Sequence, residues 1–148
     1  MHPVLKKLGY KGQESVLLLN TPPELAHLKA EFGTPPGETP IGSYSFILVF
    51  APNGTALVHM IQGITQLLVG DGYLWLAYPK KTSKQYKSDL SREVVGACLG
   101  DQDFEPVMQV AIDEDWSALR FRHVNKIKTM TRSFAASKEG KRRTGISE

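Results

Sequence analysis

Cysteine is nearly absent from this sequence, because Cys98 is the only one in 148 residues. One thiol cannot form a disulfide within the chain, and it excludes a metal site built from several thiolates. Cys98 also falls on the apolar stripe of a predicted helix. We therefore expect a buried structural thiol rather than a nucleophile, since reactive cysteines need exposure and a positive setting.

Long hydrophobic runs are absent as well. The longest apolar-rich stretch, residues 56–69, is interrupted by five polar or glycine residues: His59, Gln62, Gly63, Thr65 and Gln66. The N-terminal "MHPVLKKLGYKG" has no continuous signal-like core. We therefore expect a soluble, cytoplasmic protein that is not exported and does not contact a membrane.

Familiar catalytic motifs are missing too. The chain contains no HExxH, no Walker motif and no ordered serine, histidine and acid set. His59 is predicted on the wet face of its helix, which indicates a surface histidine. The sequence alone therefore indicates no nucleophile and no general base.

Positive charge is concentrated at one end of the chain. The net charge is +3, from 18 Lys and Arg against 15 Asp and Glu, but residues 126–148 carry 7 of the bases and only 2 of the acids. We expect one domain over residues 1–125 and a basic tail over 126–148, disordered beyond Ala136. The folded part lacks exposed aromatics interleaved with basic residues, which disfavours a nucleic-acid partner.

Short, nearly continuous apolar runs at residues 16–20, 45–50 and 73–79 predict strands buried on both faces of a parallel sheet. Helical patterns separate and follow them. A stripe predicts one helix that stops at Gly70, and another opens at Ser88 or Asp89 and closes at Gly100. The stripe of the first consists of Leu57, Met60, Ile61, Ile64, Leu67 and Leu68.

The last pattern is a β-hairpin. "VMQVAI" and "ALRFR" both alternate apolar and other residues, and "DEDWS" lies between them as a turn. The order of elements predicts an α/β fold: a three-layer Rossmann-like sandwich around a five-stranded mixed sheet of order 1-2-3-5-4. Strands 1 to 3 are expected to be parallel, with the fifth antiparallel between the third and the fourth.

Several segments resemble a trimmed Rossmann-type methyltransferase. "LGYKGQESVLLLN", "SYSFILVF" and "LLVGDGYLWLAYP" are similar to that family's first, fourth and fifth strands, and the hairpin is similar to its last two. The loop at residues 32–43 stands where two βα units would be missing. "GDGYLWLAYPKKTSKQYKSDLSREVV" and "VAIDEDWSALRFR" also resemble domain-of-unknown-function family 3052. That resemblance spans residues 6–122 and implies the fold and a bacterial setting, but no activity.

The turn after the first strand argues against the cofactors of such folds. Methyl-donor and dinucleotide sites use glycines there, with an acidic residue after the next strand. Here "NTPPE" predicts Thr21 as N-cap, Pro22 at the first helical position and Glu24 closing a capping box. The prolines also remove two N–H donors. We therefore expect no cofactor.

Ligands of open α/β sheets bind at the carboxyl ends of the strands. Asn20 lies at the first such end, and the third leads into "PKKTSKQYKSD". Its lysines and hydroxyls, at a predicted helix start near Ser88, are groups that bind phosphate or carboxylate; a hydrated basic loop is the equally weighted alternative. The candidate ligands in this segment are Lys80, Lys81, Ser83 and Lys84.

The acidic turn "IDEDW" offers Asp113 and Asp115 on one side of a strand. A hard divalent cation needs more oxygens than these two carboxylates supply. We therefore favour a turn stabilised by aspartate-to-backbone hydrogen bonds, with Trp116 closing the edge of the core, over a metal site.

These observations favour a non-enzymatic ligand-binding or regulatory module that holds a small anionic ligand or a partner protein. The candidate residues are Asn20, Lys80, Lys81, Ser83, Lys84, Asp113, Asp115 and Trp116, with no metal. The alternative is an enzyme that acts on a phosphorylated or acidic small molecule at the lysine loop, with Asp113 or Asp115 as base.

Overall fold

One mixed sheet of five strands organises residues 2–127, which are the residues that the computed structural model describes. In chain order the strands are β1 (Val16–Leu19), β2 (Tyr44–Phe50), β3 (Leu68–Pro79), β4 (Phe104–Ala111) and β5 (Trp116–His123). Their spatial order is β1-β2-β3-β5-β4, with β1 to β3 parallel and β5 antiparallel to both of its neighbours. The predicted sheet is confirmed. The predictions for the tail from residue 128 onward lie outside the described residues.

Short helices cover both faces of the sheet. Three are α-helices, namely α1 (Pro3–Lys7), α2 (Gly54–Met60) and α3 (Arg92–Ala97), and four are 3-10 helices: Pro23–Glu31, Ile64–Leu67, Gly100–Gln102 and Val124–Lys126. One core joins α1 and Pro23–Glu31 to the first face, and a second joins α2, Ile64–Leu67 and α3 to the other. The three-layer sandwich is therefore confirmed. No helix among residues 2–127 is long and apolar enough to cross a membrane.

Trp75 anchors the first face. Its side chain is fully buried on β3, and its indole Nε1 donates a hydrogen bond to the carbonyl oxygen of Leu8 over 2.8 Å. A buried indole N–H needs such an acceptor. The bond ties the turn after α1 to the centre of the sheet.

Both edges of the sheet carry a distinct backbone feature. At the β1 edge, Leu18 N–H donates to the carbonyl of Gly37 and Gly37 N–H donates to Val16, both over 2.8 Å. At the other edge, β4 contains Pro106, and its ladder with β5 is irregular between Pro106 and Met108.

The capping box predicted after β1 is wrong. Pro22, not Thr21, precedes the helix, with an extended backbone (φ −65°, ψ 150°), and the helix is 3-10 from Pro23. The cause is Pro23, because a residue before proline is pushed out of the helical region. Glu24 therefore faces other partners, and Thr21 Oγ1 is buried without a hydrogen-bond partner in residues 2–127.

The helix predicted from the apolar stripe between Leu57 and Leu68 is interrupted. α2 ends at Met60, Gly63 adopts a left-handed backbone (φ +66°), and the chain re-enters as a 3-10 helix before β3 begins at Leu68. Gly63 accepts this conformation without a Cβ clash, so it breaks the helix that the stripe predicts. The stripe still packs on the second core, and His59 is exposed as predicted.

The third helix begins later than predicted. Ser91, rather than Ser88 or Asp89, is the N-cap of α3, and its Oγ accepts from Val94 N–H over 3.2 Å. Cys98 follows the helix instead of lying on its stripe, and it is partly rather than fully buried against the second core. Burial raises the pKa of its thiol to about 12, as expected of a structural cysteine.

Two glycine-to-alanine changes should have opposite effects on stability. At Gly72 a new Cβ would lie 2.7 Å from the backbone oxygen of Ser45, so Gly72→Ala should destabilise the fold by about 1–3 kcal/mol. At Gly96, within α3, the nearest atom would be 3.5 Å away, so Gly96→Ala should stabilise it by about 0.5–1 kcal/mol. Urea unfolding measures the stability of both variants. If Gly72→Ala is as stable as Gly96→Ala, the close approach of Gly72 to Ser45, and with it the register of β3 against β2, is contradicted.

Candidate functional site

A groove of about 660 Å³ opens at the carboxyl end of β3, on the side of the sheet covered by α3. Its walls come from the segment after β3, the start of α3, and the strands β4 and β5. The lining residues are Tyr78, Lys80, Lys81, Thr82, Ser91, Arg92, Glu93, Gln109, Ala111 and Ser117.

Positive charge dominates the groove. Lys80 and Lys81 follow β3, and Arg92 is the first residue of α3. Among residues 2–127 the ion pairs join Lys29 to Glu38 and Asp71 to Arg122, so none of the three groove cations is paired. Glu93 is the single carboxylate in the lining, and it is exposed.

Polar side chains form the floor of the groove. Arg92 Nε donates to Gln109 Oε1 over 2.9 Å, and Gln109 Nε2 donates to Tyr78 OH (3.3 Å) and Ser117 Oγ (3.1 Å). These three hydrogen bonds connect α3, β4, β3 and β5. Burial raises the pKa of Tyr78, and hydrogen bonding to Ser117 and the charge of Arg92 oppose that rise.

Two of the candidate residues from the sequence, Lys80 and Lys81, line the groove, and the others do not. Ser83 donates to Asp115 Oδ1 over 2.7 Å and accepts from Tyr86 N–H over 3.0 Å, so its hydroxyl holds the loop together. Lys84 is exposed on the same loop, outside the lining.

The acidic turn forms as predicted. Asp113 Oδ1 accepts hydrogen bonds from the backbone N–H groups of Asp115 and Trp116, each over 2.8 Å. Trp116 is buried and stacks edge-on against Phe50. Within residues 2–127, no group of three or more His, Cys, Asp and Glu side chains could hold a metal ion.

Asn20 joins the carboxyl ends of β1 and β2. Its backbone is left-handed (φ +59°), and its side-chain Nδ2 donates to the carbonyl of Phe50 over 2.9 Å. Asparagine tolerates this conformation better than most residues. Its amide is thereby committed to the main chain between the two strands.

Sequence reasoning missed the groove residues that come from α3 and the hairpin. Register brings Ser117 opposite Tyr78, and the β4–β5 ladder places Gln109 beside them. Gln109 and Ser117 lie in segments whose pattern is that of an ordinary strand, and Ser91, Arg92 and Glu93 lie at the start of a helix. The only signal available was the alternation of the hairpin, which indicates a face but not which residues meet across it.

The loop at residues 80–91 crosses the carboxyl edge of the sheet. The hydroxyl of Tyr86 donates to Glu24, beyond β1, and Asp89 Oδ1 accepts from Gly54 N–H, beyond β2, over 2.8 Å. Trp116 Nε1 lies 3.5 Å from the same Glu24 oxygen. The crevice at the ends of β1 and β2 is therefore bridged by side chains of the protein itself.

This contact shifts the titration of both partners. The hydrogen bond from Tyr86 lowers the pKa of Glu24 below its ordinary value. Burial, together with the neighbouring carboxylate of Glu24, raises the pKa of Tyr86 to about 12. The ionised carboxylate is thus the form that the loop favours.

Comparison with known proteins gives the fold. No family model matches the chain, and no curated protein does. The structure of a fibrillarin/Nop5p complex aligns with a TM-score of 0.50 at 11% identity, over 81% of this chain and 79% of that one. The fold is Rossmann-like. It resembles a methyltransferase fold, as the sequence predicts, while membership of family 3052 stays a prediction.

Two further structures align less well. One is a protein of the NADB-Rossmann superfamily from Streptococcus agalactiae, with a TM-score of 0.47 at 12% identity, over 83% of this chain and 68% of that one. The other is ribosomal protein L11 methylase from Lactobacillus delbrueckii subsp. bulgaricus, with a TM-score of 0.44 at 15% identity. That alignment covers 74% of this chain, which spans only 58% of the methylase.

The residues after β1 do not fit the methyl donor or dinucleotide that such folds imply. Pro22 and Pro23 offer no N–H to a ligand, and the amide of Asn20 closes the gap to β2. Glu24 accepts from Tyr86 and Trp116 rather than from a ribose.

We expect neither S-adenosylmethionine nor NAD to bind this protein. Both need close backbone approach after β1, which the two prolines and Asn20 prevent. Isothermal titration of each compound into the full chain should give no heat of binding. Micromolar binding of either would contradict this interpretation of the prolines.

Removing the Tyr86 hydroxyl should destabilise the fold in a pH-dependent way. The hydrogen bond lowers the pKa of Glu24 in the folded state, so its contribution is present near neutral pH and is lost as pH falls through that folded pKa. Tyr86→Phe should therefore cost about 0.5–1.5 kcal/mol at neutral pH and less in acid.

Tyr44→Phe provides the matched control, because Tyr44 OH donates to the carbonyl of Ile41, which does not titrate. Its effect on melting temperature should be the same at both pH values. A Tyr86→Phe effect equally independent of pH would show that Glu24 is not linked to this hydroxyl.

Proposed function

We propose that this protein is a non-enzymatic binding module that takes a small anionic ligand into the groove at the end of β3. The observation that carries the proposal is the presence there of three cations, Lys80, Lys81 and Arg92, without an ion pair in the described residues. Unpaired cations that converge on a concave site favour a phosphate or carboxylate.

The lining of the groove supports binding rather than catalysis. It contains no histidine and no cysteine, and its hydroxyls on Tyr78, Thr82, Ser91 and Ser117 have no carboxylate or imidazole partner among residues 2–127. A nucleophile needs an adjacent base to be activated. The enzyme alternative assigns that role to Asp113 or Asp115, but both are outside the lining and accept hydrogen bonds from the loop and turn.

The wider setting belongs to the same proposal. We propose a bacterial, cytoplasmic protein whose methyltransferase-like fold has lost its cofactor site. The resemblance to family 3052 supports the bacterial setting, and the poor fit of Pro22, Pro23 and Asn20 to a cofactor supports the loss of the cofactor site.

Charge reversal in the groove should abolish stabilisation by phosphate. Phosphate should raise the melting temperature of the wild type, and the increase should shrink with added salt as the exposed charges are screened. The double variant Lys80→Glu with Lys81→Glu should lose the increase while its own stability stays within about 0.5 kcal/mol of wild type. Thermal-shift titration measures both.

The matched control is Lys84→Glu with Lys87→Glu. It makes the same charge change in the same loop, on exposed residues outside the groove. This variant should respond to phosphate like the wild type, and so should reversal of the tail residues Arg142 and Arg143, which lie outside the described residues. Loss of the response in the tail variant alone would assign binding to the tail and refute the groove.

A further inference from the structure

We propose that Gln109 is a positioning residue that occupies acceptor sites of the hydroxyls on the floor of the groove and leaves their protons to donate, so that the groove favours a fully ionised oxyanion as its ligand. The inference rests on the proposed function and specifies the ligand class. A sulfate, a phosphate dianion or a carboxylate has this chemistry, whereas a group that still carries an acidic proton does not.

The orientation of the Gln109 amide follows from Arg92. A guanidinium has donors only, so the amide atom 2.9 Å from Arg92 Nε must be the oxygen. The amide nitrogen then faces the opposite way, toward Tyr78 OH and Ser117 Oγ. Arg92 therefore decides which end of Gln109 the two hydroxyls meet.

A hydroxyl that accepts a hydrogen bond keeps its own proton to donate. Tyr78 accepts from Gln109, so its own proton goes either to Ser117 or to a ligand. Ser117 also accepts from Gln109, and its proton goes either to Tyr78 or to the ligand; in both cases the floor offers a donor. At the wall, Ser91 Oγ accepts from Val94 N–H and is left with a proton as well.

The cationic side chains of the lining are hydrogen-bond donors as well. Lys80 and Lys81 have donors and no acceptor. Within residues 2–127 Arg92 donates from Nε alone, to Gln109, and its terminal nitrogens are left for a ligand. Glu93 is the one charged acceptor, and it lies exposed in the lining. A protonated ligand oxygen that faces Lys80, Lys81 or Arg92 would meet another donor and lose a hydrogen bond.

Two probes test whether affinity depends on full ionisation of the ligand. Sulfate stays fully ionised from pH 5 to 8, whereas methyl phosphate loses its second proton with a pKa of about 6. The charged and titratable side chains that face the groove are Tyr78, Lys80, Lys81, Arg92 and Glu93. None is a histidine, the residue type that ordinarily titrates in this range. The full chain should bind sulfate with constant affinity and bind methyl phosphate about tenfold more weakly at pH 5 than at pH 8.

Substitution of Gln109 tests the role of its amide. In Gln109→Glu the carboxylate should accept hydrogen bonds from the hydroxyls of Tyr78 and Ser117 and pair with Arg92, with no change in size. Sulfate affinity should fall by about tenfold or more. Gln109→Met removes the amide without adding charge and should have a smaller effect. Gln85→Glu, at an exposed position of the loop at residues 80–91 and outside the lining, adds the same charge and should change affinity by less than about twofold.

The outcomes distinguish this inference from the proposed function. If Gln109→Glu binds sulfate like wild type, or methyl phosphate binds equally at pH 5 and 8, the inference is overturned, while loss of binding in the Lys80 and Lys81 variant would still support the groove. If the wild type binds neither probe, both proposals fail. Melting curves show whether each variant is folded; should Gln109→Glu not fold, Gln109→Met and the wild-type pH profile decide.

Discussion

The two-sided burial of β3 is the constraint on which the rest of this structure depends. Leu74, Trp75, Leu76 and Ala77 are inaccessible on both faces, so every backbone polar group between them must find a partner in a neighbouring strand. β2 supplies these partners in parallel register and β5 in antiparallel register. Because β5 begins at Trp116, opposite the last residue of β3, and runs antiparallel to it, the side chains at the turn end of the hairpin lie at the carboxyl edge, where the groove forms.

The antiparallel direction of β5 moves the candidate site away from the usual place in an open α/β sheet. In such sheets ligands bind in the crevice beyond the carboxyl ends of parallel strands. Here Glu24, Tyr86 and Trp116 fill the crevice beyond β1 and β2. The unpaired cations and the open volume lie instead between β3, the hairpin and α3. The loop at residues 80–91 contributes to both, since its ends line the groove and its middle closes the crevice.

Much of the fold could be predicted from the sequence, because strand order follows from patterns that extend over several residues. The continuous apolar run ending at Pro79 indicates a strand buried on both faces, and the alternation that places Leu119 and Phe121 on one side indicates a hairpin. Local breaks could not be predicted as well. Pro23 changes the backbone of its neighbour, and Gly63 adopts a conformation that no hydrophobic stripe reveals.

The candidate site was accessible to sequence reasoning only where it is contiguous. Lys80 and Lys81 follow a strand directly, so fold logic placed them. Gln109 and Ser117 meet Tyr78 through the register of two ladders, which sequence spacing does not specify. A site assembled across strands is visible only once pairing is known, whereas a loop site is visible from the chain itself.

The two edges of the sheet have a consequence for how molecules of this protein meet one another. Strands as apolar as β1 and β2 would serve as templates for a foreign strand if an edge were open. The β1 edge is occupied by Gly37, and the β4 edge carries a proline, which has no N–H, and an irregular ladder. Growth of the sheet from chain to chain is therefore opposed at both ends, which protects a protein rich in apolar strands from fibrillar association.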